Sequence, residues 1–222
     1  MSTTLSAKRF SRILFLLVIY LFISPFFATG SELALLAHFL LSVTLFSATF
    51  AVHRGSHHRS VAFGLMGLAL ALYWLGIFKL VPFSSTGALA LFIGFYALLI
   101  YSLGRQLFHA GEVNGGVIAA ALCMYLIIGL LWGSGYTLVQ EMHEGAFSGN
   151  LIDGGATDHL HLFNYFSIVT LTTLGYGDIT PQIPAAASLC QMEAIVGQFF
   201  TAVLVARLVG MYRSPAERQA ED

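Results

Sequence analysis

The sequence predicts an all-α membrane protein with six transmembrane helices and one shorter helix that enters the membrane without crossing it. Three observations carry that prediction. Of the 222 residues, 57% are hydrophobic and only 9% charged, where a soluble domain has about a quarter charged. Six apolar runs, residues 13–29, 33–52, 61–80, 87–104, 116–139 and 185–207, are each long enough as helices to span hydrocarbon about 30 Å thick. A seventh run, residues 163–173, would reach only about 16 Å as a helix at 1.5 Å per residue.

The first run follows Lys8, Arg9 and Arg12, which is also how a signal peptide begins. Its apolar stretch continues through Pro25 to Gly30 without a charge, and no A-x-A cleavage site follows, so a retained span is expected. Each of the six long runs carries few or no charges, and only a helix satisfies its own backbone in lipid. Cys123 and Cys190 lie inside apolar runs and read as packing residues rather than a disulfide framework.

Orientation follows from the cations. With the amino terminus in the cytoplasm, Lys8, Arg9, Arg12, Arg54, Arg59, Arg105, Arg207, Arg213 and Arg218 fall on the cytoplasmic side, and Lys79 alone falls outside. Both termini are then cytoplasmic in a multi-pass protein of the plasma or inner membrane. There is no basic stripe for nucleic acid, and membrane lipids are the expected surroundings.

The stretch "TLTTLGYGD", residues 170–178, follows the short run. Irregular backbone at membrane depth is tolerated only where it lines water or is buried in protein. A helix that enters from outside and stops halfway turns its negative carboxyl end toward the membrane centre, which favours a cation. Beyond it, Gly175 and Gly177 accept positive φ, so successive carbonyls can be turned toward one axis as a stack of oxygen ligands.

The segment "TTLGYGD" resembles the selectivity filter of potassium channels, whose TVGYG core is a known carbonyl-lined filter. The resemblance rests on Thr172, Thr173, Gly175, Tyr176, Gly177 and Asp178, together with the preceding half-length helix and the flanking spans. Leu174 stands where valine is commonest, with its side chain turned from the ion path. The resemblance implies K⁺ ligation by Thr173, Leu174, Gly175 and Tyr176, with Gly177 completing the outer mouth. It implies support from Thr172, from Tyr176 through its hydroxyl, and from Asp178 behind the filter. Tyr165 and Phe166 take the place of the tryptophans common at the start of the family's pore helix. One filter segment cannot encircle an ion, so a homotetramer is implied. K⁺ is then the transported ion, no cofactor is expected, and passage is passive with no enzymatic chemistry.

The resemblance divides the chain into a four-helix unit, residues 1–110, a pore domain, residues 111–213, and a short cytoplasmic tail, residues 214–222. In the last span, Gly197 is either a hinge or a close-packing glycine. Glu193 is the only acid inside a span, where a carboxylate costs about 2.5–3.5 kcal/mol on insertion scales. It reads as a structural polar contact behind the pore helix or as a gating proton site. The outer acids Glu141, Glu144, Asp153 and Asp158 either concentrate cations near the mouth or form an ordinary solvated loop.

Six spans with the pore in the last two resemble the voltage-gated plan, but its sensor is missing. A sensor needs about three or four gating charges per subunit, whereas the fourth run ends in Arg105 alone and residues 33–111 contain no Asp or Glu. Little or no voltage dependence is expected. The tail is too short for a nucleotide- or calcium-binding domain, so the opening stimulus is expected from the membrane, the filter, pH or another protein. Two further readings stay open: a weakly selective cation channel, and a membrane metal oxidoreductase. The latter rests on "HRGSHHR", residues 53–59, which has the spacing of an iron-binding histidine box, and on "DHLH", residues 158–161, which could hold zinc. The topology places His53, His57 and His58 opposite His143, His159 and His161, too few on either side for a di-iron centre. The interfacial-loop alternative therefore stands beside the metal one, and His38 and His109 read as isolated packing or interface residues.

Overall fold

The computed structural model describes residues 7–27, 31–52, 57–81, 84–111, 113–153 and 159–210. Within them the apolar runs become α1 (Ala7–Phe27), α2 (Ser31–Thr49), α3 (His57–Ile77), α4 (Ser84–Phe108), α5 (Gly115–Met142), a single-turn α6 (Asn150–Asp153), the short α7 (His159–Leu171) and α8 (Pro184–Gly210). His58–Ile77, Ser85–Phe108, Gly115–Met142 and Pro184–Gly210 are long and apolar enough to cross a membrane, and α2 contributes a shorter apolar stretch, Leu35–Thr49. The tail at residues 214–222 lies outside the described residues.

Several helices outrun the apolar runs that predicted them, and capping explains two cases. Asn114 caps α5, its Oδ1 accepting from the backbone N–H of Gly116 at 2.9 Å and of Val117 at 3.0 Å. α8 opens on Pro184, the first helical position, where the missing N–H is no loss. α7 begins at His159 rather than at Phe163, so the two histidines of "HLH" belong to the helix. Among the described residues the one departure from all-α is a two-residue antiparallel pairing of β1 (Phe147–Ser148) with β2 (Thr180–Pro181), Phe147 opposite Pro181 and Ser148 opposite Thr180.

Helices α1 to α5 pack each on the next in sequence, and α1 closes the circuit against α5. The core they enclose is one body: Phe10, Leu17 and Tyr20 of α1, Leu41 and Leu45 of α2, Met66 of α3, Phe92, Phe95 and Leu99 of α4, and Cys123 and Ile127 of α5 all lie in it. The apolar core therefore runs without a break past residue 110. α7 packs against α5, α8 and α1.

The ends of this bundle differ in charge. At one end Arg9 donates to Gln106 Oε1, Gln106 donates to Ala51 O, Arg59 lies over Phe50 and Phe63, and Arg207 donates to the carbonyls of Leu107 and Phe108. At the other end Lys79 lines a cavity of about 330 Å³ with His38, Tyr73, Glu141 and His159. Glu141 there accepts from Thr86 Oγ1 at 2.7 Å.

Candidate functional site

Thirteen residues give α7 a length of about 20 Å, and it is enclosed on most sides. Its approach to α5 depends on missing side chains. A Cβ on Gly133 would lie 2.3 Å from Asn164 Oδ1 and 2.9 Å from Asn164 Cα, and one on Gly129 would lie 2.6 Å from Ile168 Cδ1. Two glycines four apart on α5 thus face two residues four apart on α7, the close-packing pattern of membrane helices. From α1, Tyr20 accepts a hydrogen bond from Asn164 Nδ2 at 2.9 Å, and its hydroxyl lies 3.3 Å from His161 Nδ1. Phe163 and Phe166 join Tyr136 and Phe147 in an aromatic cluster, with ring centroids 4.9 Å apart for Phe147 and Phe163 and 5.2 Å for Tyr136 and Phe166.

The carboxyl end of α7 closes in a defined way. The Thr173 N–H bonds Thr170 O, and the Leu174 N–H bonds Val169 O, both at 2.9 Å. This is the Schellman pattern, which requires its penultimate position in the left-handed region and usually places glycine there. Here the residue is Thr173, with φ 59°. A β-branched residue in this region is an outlier, at a cost of roughly 1–2 kcal/mol, and such strain gathers at functional positions.

Positive φ then recurs at Gly175 (60°) and Gly177 (76°), the glycines having no Cβ to resist it. Positive φ at 173, 175 and 177 thus alternates with negative φ at Leu174 and Tyr176. Residues 172–177 are all exposed in the single chain, Leu174 at 55% and Tyr176 at 66%. This exposed stretch follows the end of a buried half-length helix and lies outside any strand or helix.

This stretch is tied down at its far end. Tyr165 donates to Asp178 Oδ2 at 2.6 Å, and Asp178 Oδ1 accepts from the Ile179 N–H at 3.1 Å. Behind Asp178, Gly149 comes so close that a Cβ would lie 1.9 Å from the Asp178 carbonyl oxygen, and the β1–β2 pairing holds that approach. At the near end, Thr172 Oγ1 returns its proton to Ile168 O at 2.7 Å. Gln198 of α8 donates to Thr173 Oγ1 at 3.4 Å, and Tyr125 donates to Leu171 O at 3.3 Å. Phe166 is buried in the aromatic cluster instead of bracing the loop.

α8 touches this assembly along one stripe. Its fully buried residues are Ala186, Glu193 and Gly197. A Cβ on Gly197 would lie 2.4 Å from Leu171 O and 3.0 Å from Leu171 Cδ1, so glycine here permits the contact between α8 and the end of α7. Of the two readings open for Gly197, this geometry supplies the packing one. Glu193 is 0% exposed and bonds both neighbouring helices, taking Tyr136 of α5 at 2.5 Å and Ser167 of α7. Another face of α8, with Met192, Ile195, Phe199, Val203, Val205 and Val209, is exposed and apolar in the single chain.

Sequence reasoning missed several of these residues. Gly129 and Gly133 carried a readable signal in their four-residue spacing, but Tyr136, Ser167, Asn164 and Tyr20 carried none. The histidine readings also change. His161 is buried on α7, not set in an outer loop. His38 is not isolated: its Nδ1 lies 2.7 Å from the Tyr73 hydroxyl and its ring stacks on His161 with centroids 5.6 Å apart. His109 sits at the end of α4 with Nδ1 2.7 Å from Arg105 O. His53, Asp158 and the side chains of His57 and Asp153 lie outside what is described. Among the described residues no three His, Cys, Asp or Glu gather closely enough to hold a metal ion.

No curated protein matches the chain. A family model described as an ion channel matches residues 125–214, from the middle of α5 through α7 and the strained loop to the end of α8. The part of the chain that holds the strained loop is therefore similar to an ion-channel domain, a family that conducts ions and is not a family of enzymes.

Proposed function

We propose that the protein is a potassium-selective channel, a homotetramer of six-span subunits, with little or no intrinsic voltage dependence. The observation that carries this is the alternation of left-handed backbone at Thr173, Gly175 and Gly177, in a segment that reads TTLGYGD and follows the carboxyl end of a half-length helix. A peptide carbonyl carries partial negative charge, and four chains around one axis would stack rings of such oxygens in place of an ion's hydration shell. The negative end of each α7 would point at the same axis. The ion-channel match over this segment supports conduction.

Two features favour four copies. A single chain offers one open arc of carbonyls, and it leaves the apolar face of α8 uncovered, which neighbouring copies would bury around an inner pore. The gathering of Arg9, Arg59, Arg105 and Arg207 at one end of the bundle favours that end as cytoplasmic, with Lys79 and Glu141 outside. The mouth of the pore then faces outward. Arg105 is the one basic residue of α4, which is too little charge to be driven by the membrane field.

Purified protein reconstituted in planar bilayers tests the reading. With high K⁺ and low Na⁺ on one side and the reverse on the other, the current should reverse close to the K⁺ equilibrium potential, and open probability should change little with voltage. A reversal near zero under these opposed gradients would leave a weakly selective cation channel, and a steep rise with depolarisation would contradict the uncharged sensor.

A further inference from the structure

Glu193 is the one buried acid of the last span, and its proton can be located by counting. Three oxygen contacts meet there. Ser167 Oγ lies 2.7 Å from the Gly129 carbonyl oxygen, Ser167 Oγ also contacts Glu193 Oε1, and Tyr136 Oη contacts Glu193 Oε2 at 2.5 Å. Oxygens this close need a proton between them, so three contacts require three protons. A serine hydroxyl supplies one and a tyrosine hydroxyl one, while a carbonyl supplies none.

The Tyr136 proton fills the contact with Oε2. The Ser167 proton can fill either of its two contacts but not both. If it turned to an ionised Glu193, the Gly129 carbonyl would face the serine oxygen across 2.7 Å with no hydrogen between two acceptors. The third proton has one remaining source, the carboxyl group itself. The surroundings agree with a neutral acid: Glu193 is 0% exposed, and an ionised carboxylate removed from water is costly without a paired cation. The titratable groups around it are Tyr136 and Tyr125 from α5 and Cys190 one turn earlier on α8. α7 presents the Ser167 hydroxyl, and no Lys, Arg or His among the described residues bonds to it.

We propose that Glu193 is held as a neutral carboxylic acid whose proton completes a relay, Glu193 Oε1–H to Ser167 Oγ–H to Gly129 O, that clamps α8 and α7 to α5 behind the conducting loop, and that loss of this proton is an alkaline off-switch. The conducting half of this statement rests on the channel function proposed above. On deprotonation the Glu193 proton passes to bulk water, Ser167 turns its hydrogen to the carboxylate, and Gly129 O loses its donor. The link between α7 and α5 opens at the level where Gly129 lets Ile168 approach. Four residues on from Ser167 along α7, Leu171 touches Gly197, so the α7–α5 bond that is lost lies about one turn before the strained loop begins.

Infrared spectroscopy of the reconstituted protein tests the proton, and K⁺ efflux from the same liposomes tests the switch. At neutral pH the wild type should show the C=O stretch of a neutral carboxyl that shifts on exchange into D₂O, and Glu193→Gln should lack it. The amide of Glu193→Gln repeats the same connections, donating to Ser167 and accepting from Tyr136, so this variant should conduct at neutral pH. Raising the pH should lower wild-type efflux about tenfold, the order of one net hydrogen bond, and leave Glu193→Gln flat. Absence of the Glu193 carboxyl band overturns the proton assignment. An equal alkaline fall in Glu193→Gln overturns the switch. A wild type that passes no K⁺ at any pH overturns the channel function, and the infrared band then decides the proton assignment by itself.

Discussion

Replacing Thr173 by glycine separates the two demands made on that residue, because its backbone and its side chain have opposite preferences. The Schellman closure of α7 needs left-handed backbone at 173, and φ is 59° there. Glycine would enter that conformation without the roughly 1–2 kcal/mol that an L-residue incurs, and it would return about 0.4–1 kcal/mol through a freer unfolded chain. The side chain adds little to the fold, since Thr173 is exposed and its one cross-helix contact is the 3.4 Å bond from Gln198. The net change in Thr173→Gly is therefore about 0–1.5 kcal/mol per subunit in favour of the folded state. Thr173→Ala also deletes the hydroxyl but keeps a Cβ in the left-handed region, so it should be less stable than Thr173→Gly by about 1 kcal/mol. Thermal unfolding of purified protein measures both, with K⁺ replaced by an organic cation so that ion binding does not contribute. The functional order runs the other way. If Thr173 supplies oxygen ligands, both variants lose the hydroxyl, and the rise in unfolding midpoint on adding K⁺ should shrink in both. A Thr173→Ala protein more stable than Thr173→Gly in K⁺-free buffer would show that residue 173 is not in the left-handed region, and the carbonyl-presenting geometry would fall with it.

Two further substitutions probe the supports of the loop. Tyr165→Phe removes the donor to Asp178 Oδ2; a hydrogen bond to a charged group is worth about 1.5–3 kcal/mol, so K⁺ over Na⁺ discrimination in liposome flux should fall while the oligomer still assembles, and unchanged selectivity would deny the bond a role. Gly197→Ala puts a Cβ where Leu171 O now lies 2.4 Å away; overpacking of this kind costs about 1–3 kcal/mol, so the thermal midpoint should drop, whereas a midpoint at or above wild type would mean that α8 does not approach α7 at this point.

Length and polarity made the helices legible, because the requirement that membrane backbone bond to itself leaves helix as the one outcome for a long uncharged run. The same reasoning marked α7 as too short to cross. It misjudged where α7 begins, since "DHLH" looks like polar loop until Leu160, His161 and Phe163 are all seen to be buried on one helix. In the candidate site, the glycines and Asp178 stood out by type and spacing. Left-handed Thr173 did not, because nothing in a threonine announces a conformation that threonine resists. The partners of Glu193 were hidden for another reason. An acid in a span advertises that it needs donors, but Tyr136 and Ser167 lie 57 and 26 residues away, and only the three-helix contact selects them from the many hydroxyls in this chain. The Tyr20 bond to Asn164, across 144 residues, belongs to the same class.

A sensor helix must carry several charges and be free to move in the membrane field, and the contacts here describe a different arrangement. α4 does not stand apart from α5; both contribute to one core that includes Phe95, Leu99, Cys123 and Ile127. At one end of the bundle, Arg207 of α8 donates to the carbonyls of Leu107 and Phe108 at the end of α4. Deeper in, Tyr20 of α1 receives Asn164 of α7, and His38 of α2 stacks on His161 of the same helix. These links are polar, close and directed at α7 and α8, the two helices that frame the strained loop. A displacement of α1 or α2 along the membrane normal would break one of the links to α7 and strip a buried polar group of its partner, at about 1–3 kcal/mol for each. The scarcity of arginine in α4 and these polar ties are consistent with one another under the proposed function: a unit with almost no charge for a field to pull, fastened to α7 and α8.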